Sequence, residues 1–139
     1  MQSVRLTNTS ETPRQLTWSH DSEDLAFTLF TEEKQKPLFS AMPSKPKGAK
    51  WADNAKYIDS VQYRGDGRGY LREGFDQIYV LPVDGGTPRQ LTKGHFPSGG
   101  TLSFSKDNDW IYFASPQRED YALNPLFSDI YKVNVSSEA

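Results

Sequence analysis

Apolar residues in this chain come in short runs that turn over quickly. Leu25-Ala26-Phe27-Thr28-Leu29-Phe30 and Ile78-Tyr79-Val80-Leu81-Pro82-Val83 alternate along their length and are crowded with β-branched and aromatic side chains. Gly, Pro, Asn, Asp and Ser separate them, residues that set the backbone angles of tight turns. A helix would need apolar positions at i, i+3, i+4 and i+7 sustained over roughly a dozen residues, and that spacing is missing. The pattern predicts strands over 3–8, 14–19, 24–31 and 35–41, one within 46–52, and further strands over 58–64, 69–73, 76–83, 87–92, 100–105, 109–115 and 127–135. The fold class is therefore all-β.

A repeat organises these strands. Trp18-Ser19-His20-Asp21-Ser22 followed by Leu25-Ala26-Phe27 reads like Phe104-Ser105-Lys106-Asp107-Asn108 followed by Ile111-Tyr112-Phe113. Tyr63-Arg64-Gly65-Asp66-Gly67 reads as a third copy between them, 45 residues after the first and 41 before the last. In the same phase Val4-Arg5-Leu6-Thr7 matches Arg89-Gln90-Leu91-Thr92, and Asp76-Gln77-Ile78-Tyr79-Val80 matches Ser128-Asp129-Ile130-Tyr131-Lys132. A period in the low forties is the length of a four-stranded propeller blade. The expected architecture is a partial β-propeller, WD40-like or TolB-like, of about three four-stranded antiparallel blades. Their expected spans are 9–52, 53–98 and 99–139, with strand 3–8 coming from a neighbouring blade. On this map the chain starts on an outer strand and stops one strand short of a full blade.

Each repeat has its own chemistry. Asp21, Asp66 and Asp107 can accept backbone hydrogen bonds inside a tight turn, and the following Ser22, Gly67 and Asn108 take the position that favours positive φ. Trp18, Tyr63 and Phe104 are expected to fill the gap between inner strands, as core residues rather than stacking platforms for a ligand.

Composition narrows the functional classes. Among 139 residues 13% are aromatic and 35% apolar, and the net charge of −2 is spread over interspersed signs, so no field attracts nucleic acid. No run approaches the ~18 apolar residues of a membrane span. Zero cysteines exclude disulfides and leave the compartment open, periplasmic or cytoplasmic. The lysines at 34, 36, 45, 47, 50 and 56 lie around Pro43, Pro46 and Gly48 without interleaved aromatics and read as a solvated linker. Asp107-Asn108-Asp109 lacks the further oxygen ligands of a calcium loop and reads as a turn. Asn8-Thr9-Ser10 and Asn134-Val135-Ser136 are formal glycosylation sequons. No metal or cofactor is expected. The two histidines, His20 in a turn and His95 in a loop, lie apart from any Gly-x-Ser-x-Gly, which the sequence lacks, so no catalytic residue is expected.

The order of these words is similar to a known family. Ser-x-Asp turns before an Ile-x-Phe strand, an Asp-Ile-Tyr strand, a Gly-Gly hairpin and Arg-Gln-Leu-Thr resemble the propeller repeats of TolB and of prolyl oligopeptidase-type serine peptidases. Tyr63-Arg64-Gly65-Asp66-Gly67-Arg68-Gly69-Tyr70 and Ser115-Pro116-Gln117-Arg118-Glu119-Asp120-Tyr121 resemble segments of acylaminoacyl-peptidases and dipeptidyl peptidases. The resemblance implies a propeller that precedes an α/β-hydrolase domain with a Ser-Asp-His triad, docks it, and limits entry to peptides. On that reading the partners are the hydrolase domain and peptide substrate, and Arg64, Asp66, Arg118 and Asp120 are candidates to face one or the other. The alternative is a TolB-like protein-binding propeller with no enzymatic domain. A ring needs roughly four to eight blades, so a three-blade arc is also expected to self-associate, closing the propeller as a homo-oligomer, a dimer of six blades.

Overall fold

The computed structural model describes residues 2–33, 44–52 and 57–139. The described residues form nine strands, and no helix is long and apolar enough to cross a membrane. The strands are β1 (Arg14–Trp18), β2 (Asp24–Glu32), β3 (Arg64–Gly65), β4 (Gly69–Tyr70), β5 (Gly74–Pro82), β6 (Arg89–Gln90), β7 (Gly99–Phe104), β8 (Trp110–Ser115) and β9 (Asp129–Asn134). They build three antiparallel sheets: a four-stranded one in the order β1-β2-β5-β6, a three-stranded one in the order β7-β8-β9, and the small hairpin β3-β4. The chain is all-β, a partial propeller of stacked sheets.

Pairing departs from the expected division in one respect. β2 pairs with β5 along its whole length, from Asp24 opposite Pro82 to Glu32 opposite Gly74. Strands placed on either side of the 52/53 boundary thus share one sheet, and residues 33–73 are an excursion between adjacent strands. The expected strand 35–41 lies outside the described residues. No strand forms over 44–52, and 58–64 and 69–73 shrink to the two-residue strands of the hairpin. The segment over residues 3–8 runs beside the four-stranded sheet without forming a strand.

The repeat that the structure honours spans 86 residues. In the first turn Ser19 Oγ donates to Asp21 Oδ1 at 2.6 Å, and the amides of Glu23 and Asp24 donate to Asp21 Oδ1 and Ser19 Oγ at 3.1 and 2.9 Å. In the second, Ser105 Oγ donates to Asp107 Oδ1, and the amides of Asp109 and Trp110 donate to Asp107 Oδ1 and Ser105 Oγ at 3.2 and 3.0 Å. Ser22 and Asn108 take the left-handed conformation, with φ of 64° and 63°. Asp66 sits in no such lock, because Arg64 stands where the other copies have the serine hydroxyl; the hairpin closes instead through Arg68 N donating to Gly65 O at 3.0 Å.

The core lies between the two larger sheets. Ala26, Ile78, Val80 and Leu91 of the first pack against Leu102, Phe104, Ile111 and Phe113 of the second. The opposite face of the first sheet carries a smaller cluster of Phe27, Leu29 and Leu81, covered by Tyr79 and by Leu6 of the N-terminal segment. β2 is therefore buried on both faces from Leu25 to Leu29, which explains a run as continuously apolar as LAFTLF better than simple alternation does. Phe27, Ile78 and Ile111, almost fully buried, each contribute on the order of 2–3 kcal/mol of transfer free energy.

The expectation that three aromatics fill the core holds for Phe104 alone. Trp18 and Tyr63 are about half exposed. Trp18 lies on the face of β1 that is turned away from the second sheet, opposite Leu25 in register, and no described strand covers it there. Tyr63 belongs to the hairpin, where its ring meets Tyr70 at 6.3 Å.

Candidate functional site

Strand direction sorts the connections onto two ends. The tight turns over 19–23 and 105–109 lie at one end, together with the Val83–Gly86 turn. At the other end lie the three longer connections: residues 33–73 between β2 and β5, 91–98 between β6 and β7, and 116–128 between β8 and β9. All four candidate contact residues sit on the longer connections, Arg64 and Asp66 on the first and Arg118 and Asp120 on the last.

Aromatic packing holds this end together. The Tyr121 ring meets Phe75, at the start of β5, at 6.3 Å and Phe96, in the 91–98 connection, at 5.3 Å, both edge-on. Partial burial pushes the Tyr121 phenol above its usual range, and the Glu33 charge pushes it further the same way. The Glu33 carboxylate contacts His95 Nδ1, and its amide donates to Glu73 O at 3.0 Å, which pins the first residue of the excursion to its last. Gln77 is buried under the 91–98 connection. Its side-chain amide donates to Gly94 O and Phe96 O, both at 3.2 Å, and its side-chain oxygen accepts from Thr92 Oγ1 at 2.7 Å. Ser115 Oγ donates to Pro97 O at 2.9 Å.

The candidate residues differ in how far they are committed to their own loops. Asp120 is engaged: Oδ2 accepts from Asn124 Nδ2 at 2.7 Å, and its carbonyl accepts from the amides of Leu123 and Asn124. The Arg118 guanidinium lies over the Phe127 ring at 5.8 Å, exposed at its far side. Arg64 and Asp66 are exposed at the hairpin, and no hydrogen bond or ion pair among the described residues joins either of them to Arg118 or Asp120. His20 does not face a carboxylate; its Nε2 lies 3.4 Å from Phe104 O, and Asp21 is held by Ser19. Lys45, Lys47 and Lys50 are exposed, while Lys34, Lys36, Pro43 and Lys56 lie outside the described residues.

A groove of about 410 Å3 opens between residues 8–11 of the N-terminal segment and the last turns of β2, with Phe30, Glu32 and Tyr79 in its wall. Arg72, just before β5, reaches two of the lining residues. It forms a two-pronged ion pair with Glu11 at 2.6 and 2.8 Å and lies 4.7 Å over Phe30. The hydrogen bonds from Arg72 hold the Glu11 carboxyl below its usual range. Sequence reasoning did not single out Tyr121, Glu33, Arg72 or Glu11. Their partners lie 46, 62 and 61 residues away in the chain for Phe75, His95 and Glu11 respectively, and no periodic pattern links such pairs. Among the described residues no three His, Cys, Asp or Glu side chains gather as metal ligands would.

Comparison with known proteins finds a family and several relatives. Residues 47–139 match the family described as the dipeptidyl peptidase IV (DPP IV) N-terminal region. The chain is 26% identical over 115 residues to the uncharacterized peptidase YuxL of Bacillus subtilis, an alignment covering 82% of this chain and 16% of that protein. It is 33% identical over 73 residues to a probable dipeptidyl peptidase 4 of Aspergillus clavatus, covering 48% of this chain and 10% of that one. For a probable dipeptidyl peptidase 4 of Aspergillus flavus the figures are 28% over 98 residues, 57% and 13%. The chain thus spans less than a fifth of the length of each of these relatives.

Proposed function

This chain belongs to the family of the dipeptidyl peptidase IV N-terminal region, and on that premise we propose that it is propeller from a serine peptidase, gating peptide access and docking an α/β-hydrolase domain. Residues 2–139 then form part of one propeller domain. Segment 3–8, though not a strand here, takes the place of the outermost strand of a neighbouring blade, with Leu6 packed against the Phe27, Leu29 and Leu81 cluster. The observation that carries the reading is the gathering of the long connections at one end, braced by Tyr121 between Phe75 and Phe96. A rigid scaffold with its variable loops at one rim is how a non-catalytic domain contacts substrate or a partner domain.

Arg118 and the hairpin residues Arg64 and Asp66 are the groups with polar capacity to spare for a peptide or for the hydrolase; Asp120 shapes the loop that presents Arg118. The chain supplies none of the triad. Hydrolysis resides in the partner domain, and this region acts through binding and exclusion. Self-association that extends the arc of sheets belongs to the same proposal.

The test uses the full-length parent. Expected are hydrolysis of dipeptidyl or acyl-amino-acid chromogenic substrates, loss of that activity with a serine-directed inhibitor, and a raised KM with little change in kcat for Arg118→Ala. A parent with no Gly-x-Ser-x-Gly downstream of Ala139, or one inert toward all such substrates, overturns the reading.

A further inference from the structure

Two Asp-Gly pairs occur in the sequence, Asp66-Gly67 in the β3-β4 hairpin and Asp84-Gly85 after β5. In such a pair the amide nitrogen that follows the aspartate is one small-ring closure away from the side-chain carboxyl, and glycine puts no side chain in its path. The fold treats the two pairs differently. Gly85 N donates to Pro82 O at 2.9 Å, so its proton and its orientation are committed. The amides after Asp21 and Asp107 are committed too. Ser22 N donates to Ser19 O at 3.1 Å and Asn108 N to Ser105 O at 2.9 Å, while the Ser19 and Ser105 hydroxyls hold the two carboxylates.

Asp66 and Gly67 lack both restraints. Their turn closes through Arg68 N and Gly65 O, and among the described residues neither the Gly67 amide nor the Asp66 carboxylate has a hydrogen-bond partner. Both residues are exposed, and nothing lies within 4 Å of a would-be Gly67 Cβ. The hairpin is two rungs long and pairs with no other strand. A ribbon that short has little stability of its own, so Asp66 can turn its carboxyl carbon onto the Gly67 nitrogen. Asp59-Ser60 is also exposed, but there a serine side chain crowds the approach that glycine leaves open.

We infer that Asp66 is a site of spontaneous isomerisation to isoaspartate. The Gly67 nitrogen bonds to Asp66 Cγ as the carboxyl C–OH bond breaks, and the amide proton and that hydroxyl leave as one water. Water then adds back across one of the two carbonyl–nitrogen bonds of the cyclic imide. Opening at Cγ restores aspartate, whereas opening at the main-chain carbonyl leaves the chain running through Cβ and Cγ with the α-carboxylate as a branch. The Gly65–Arg68 turn is then one atom too long for its closing bond. The aged hairpin presents a β-linked residue, the substrate class of S-adenosylmethionine-dependent isoaspartyl methyltransferases.

The test follows the full-length parent through long incubation in neutral buffer. Chymotryptic cleavage after Tyr63 and Tyr70 releases the peptide 64–70. A second form of it should accumulate with time, equal in mass, resistant to endoproteinase Asp-N before residue 66, and able to accept a labelled methyl group from an isoaspartyl methyltransferase. The peptide spanning Asp84 should lag several-fold behind. In urea the two sites should age at similar rates, because unfolding releases the Gly85 amide. Asp66→Glu, which would need a larger ring, should abolish the second form; Asp66→Asn, with ammonia leaving in place of water, should produce it several-fold faster. Absence of the second form from the folded protein, or equal ageing at Asp66 and Asp84 while folded, overturns the inference. So does a preference for Asp66 that survives in urea. Inactivity of the parent toward peptides would sink the peptidase reading and leave this ageing as expected.

Discussion

Asn108 ties the turn of one sheet to the turn of the other: its side-chain oxygen accepts from the His20 amide at 2.8 Å, and its side-chain nitrogen donates to Asp21 Oδ2 at 2.9 Å. The same residue holds a left-handed backbone at φ 63°, a conformation Asn tolerates and most residues do not. Asn108→Gly keeps the backbone comfortable and removes both bonds. It should cost about 1–2 kcal/mol, read from the urea midpoint at constant m. Asn108→Ala adds the left-handed strain, roughly another 1 kcal/mol. Equal stability for the Gly variant and the wild type would mean the lock contributes nothing.

Acid should loosen both turns. Asp21 is held below the usual carboxylate range by the Ser19 hydroxyl, then by the Glu23 amide, with Asn108 adding to them. Asp107 is lowered by the Ser105 hydroxyl, then by the Asp109 amide, with the Lys132 charge assisting. A carboxylate with a depressed folded-state pKa contributes stability above its unfolded value, near 3.9 for Asp, and loses that contribution as pH falls through the folded one. Melting temperature should be flat above roughly pH 5 and decline below about pH 4. Asp21→Asn with Asp107→Asn should melt lower at neutral pH and decline less steeply in acid. Parallel acid limbs for this variant and the wild type would refute the assignment.

Gly74 permits the excursion to end where it does. It pairs with Glu32 at φ 145°, and a Cβ there would lie 2.3 Å from Thr31 O and 2.8 Å from Glu32 Cα, both backbone atoms that cannot move aside. Gly74→Ala should destabilise by on the order of 2–4 kcal/mol. Gly67 also has positive φ, but no atom lies within 4 Å of its would-be Cβ, so Gly67→Ala should cost only about 1 kcal/mol. Similar losses at the two sites, measured by thermal melting, would contradict the close approach.

Equivalent isoleucines should respond differently to one substitution. Ile78 lies in the core between the sheets and Ile130 on the open face. Ile78→Ala should cost about 2–5 kcal/mol, and Ile130→Ala should stay within roughly 0.5 kcal/mol at concentrations where the chain is single.

Much of this fold could be read from the residues. The strands over 14–18, 24–32, 74–82, 99–104, 110–115 and 129–134 fall within a few positions of expectation because each is an apolar run bounded by turn formers. The Ser19–Asp21 and Ser105–Asp107 turns were legible because their hydrogen bonds are local and their residue types specific. Blade division was not. Tyr63–Gly67 shares the aromatic and the aspartate of the other turns but has Arg64 in place of the serine, and that hydroxyl is half of the lock. The similar offsets on either side of it gave an excursion the look of a blade. Trp18 was misplaced for a different reason: its sequence equals a buried position, and burial depends on what lies across from it. At the candidate site, the braces at Tyr121, Gln77 and Glu33 depend on partners brought together only by sheet stacking, and a linear pattern holds no trace of them.

The excursion over residues 33–73 leaves and rejoins the sheet through one rung, Glu32 beside Gly74 and Glu33 hydrogen-bonded to Glu73. The hairpin β3-β4 between those feet shares no strand pairing with the sheet that carries it. Because the entropy of closing such a span grows only with the logarithm of its length, segments can be lengthened, trimmed or exchanged there at little thermodynamic penalty. Evolution, or a protein engineer grafting a new recognition element, has at that rung a socket whose contents can diverge while the scaffold stays as it is.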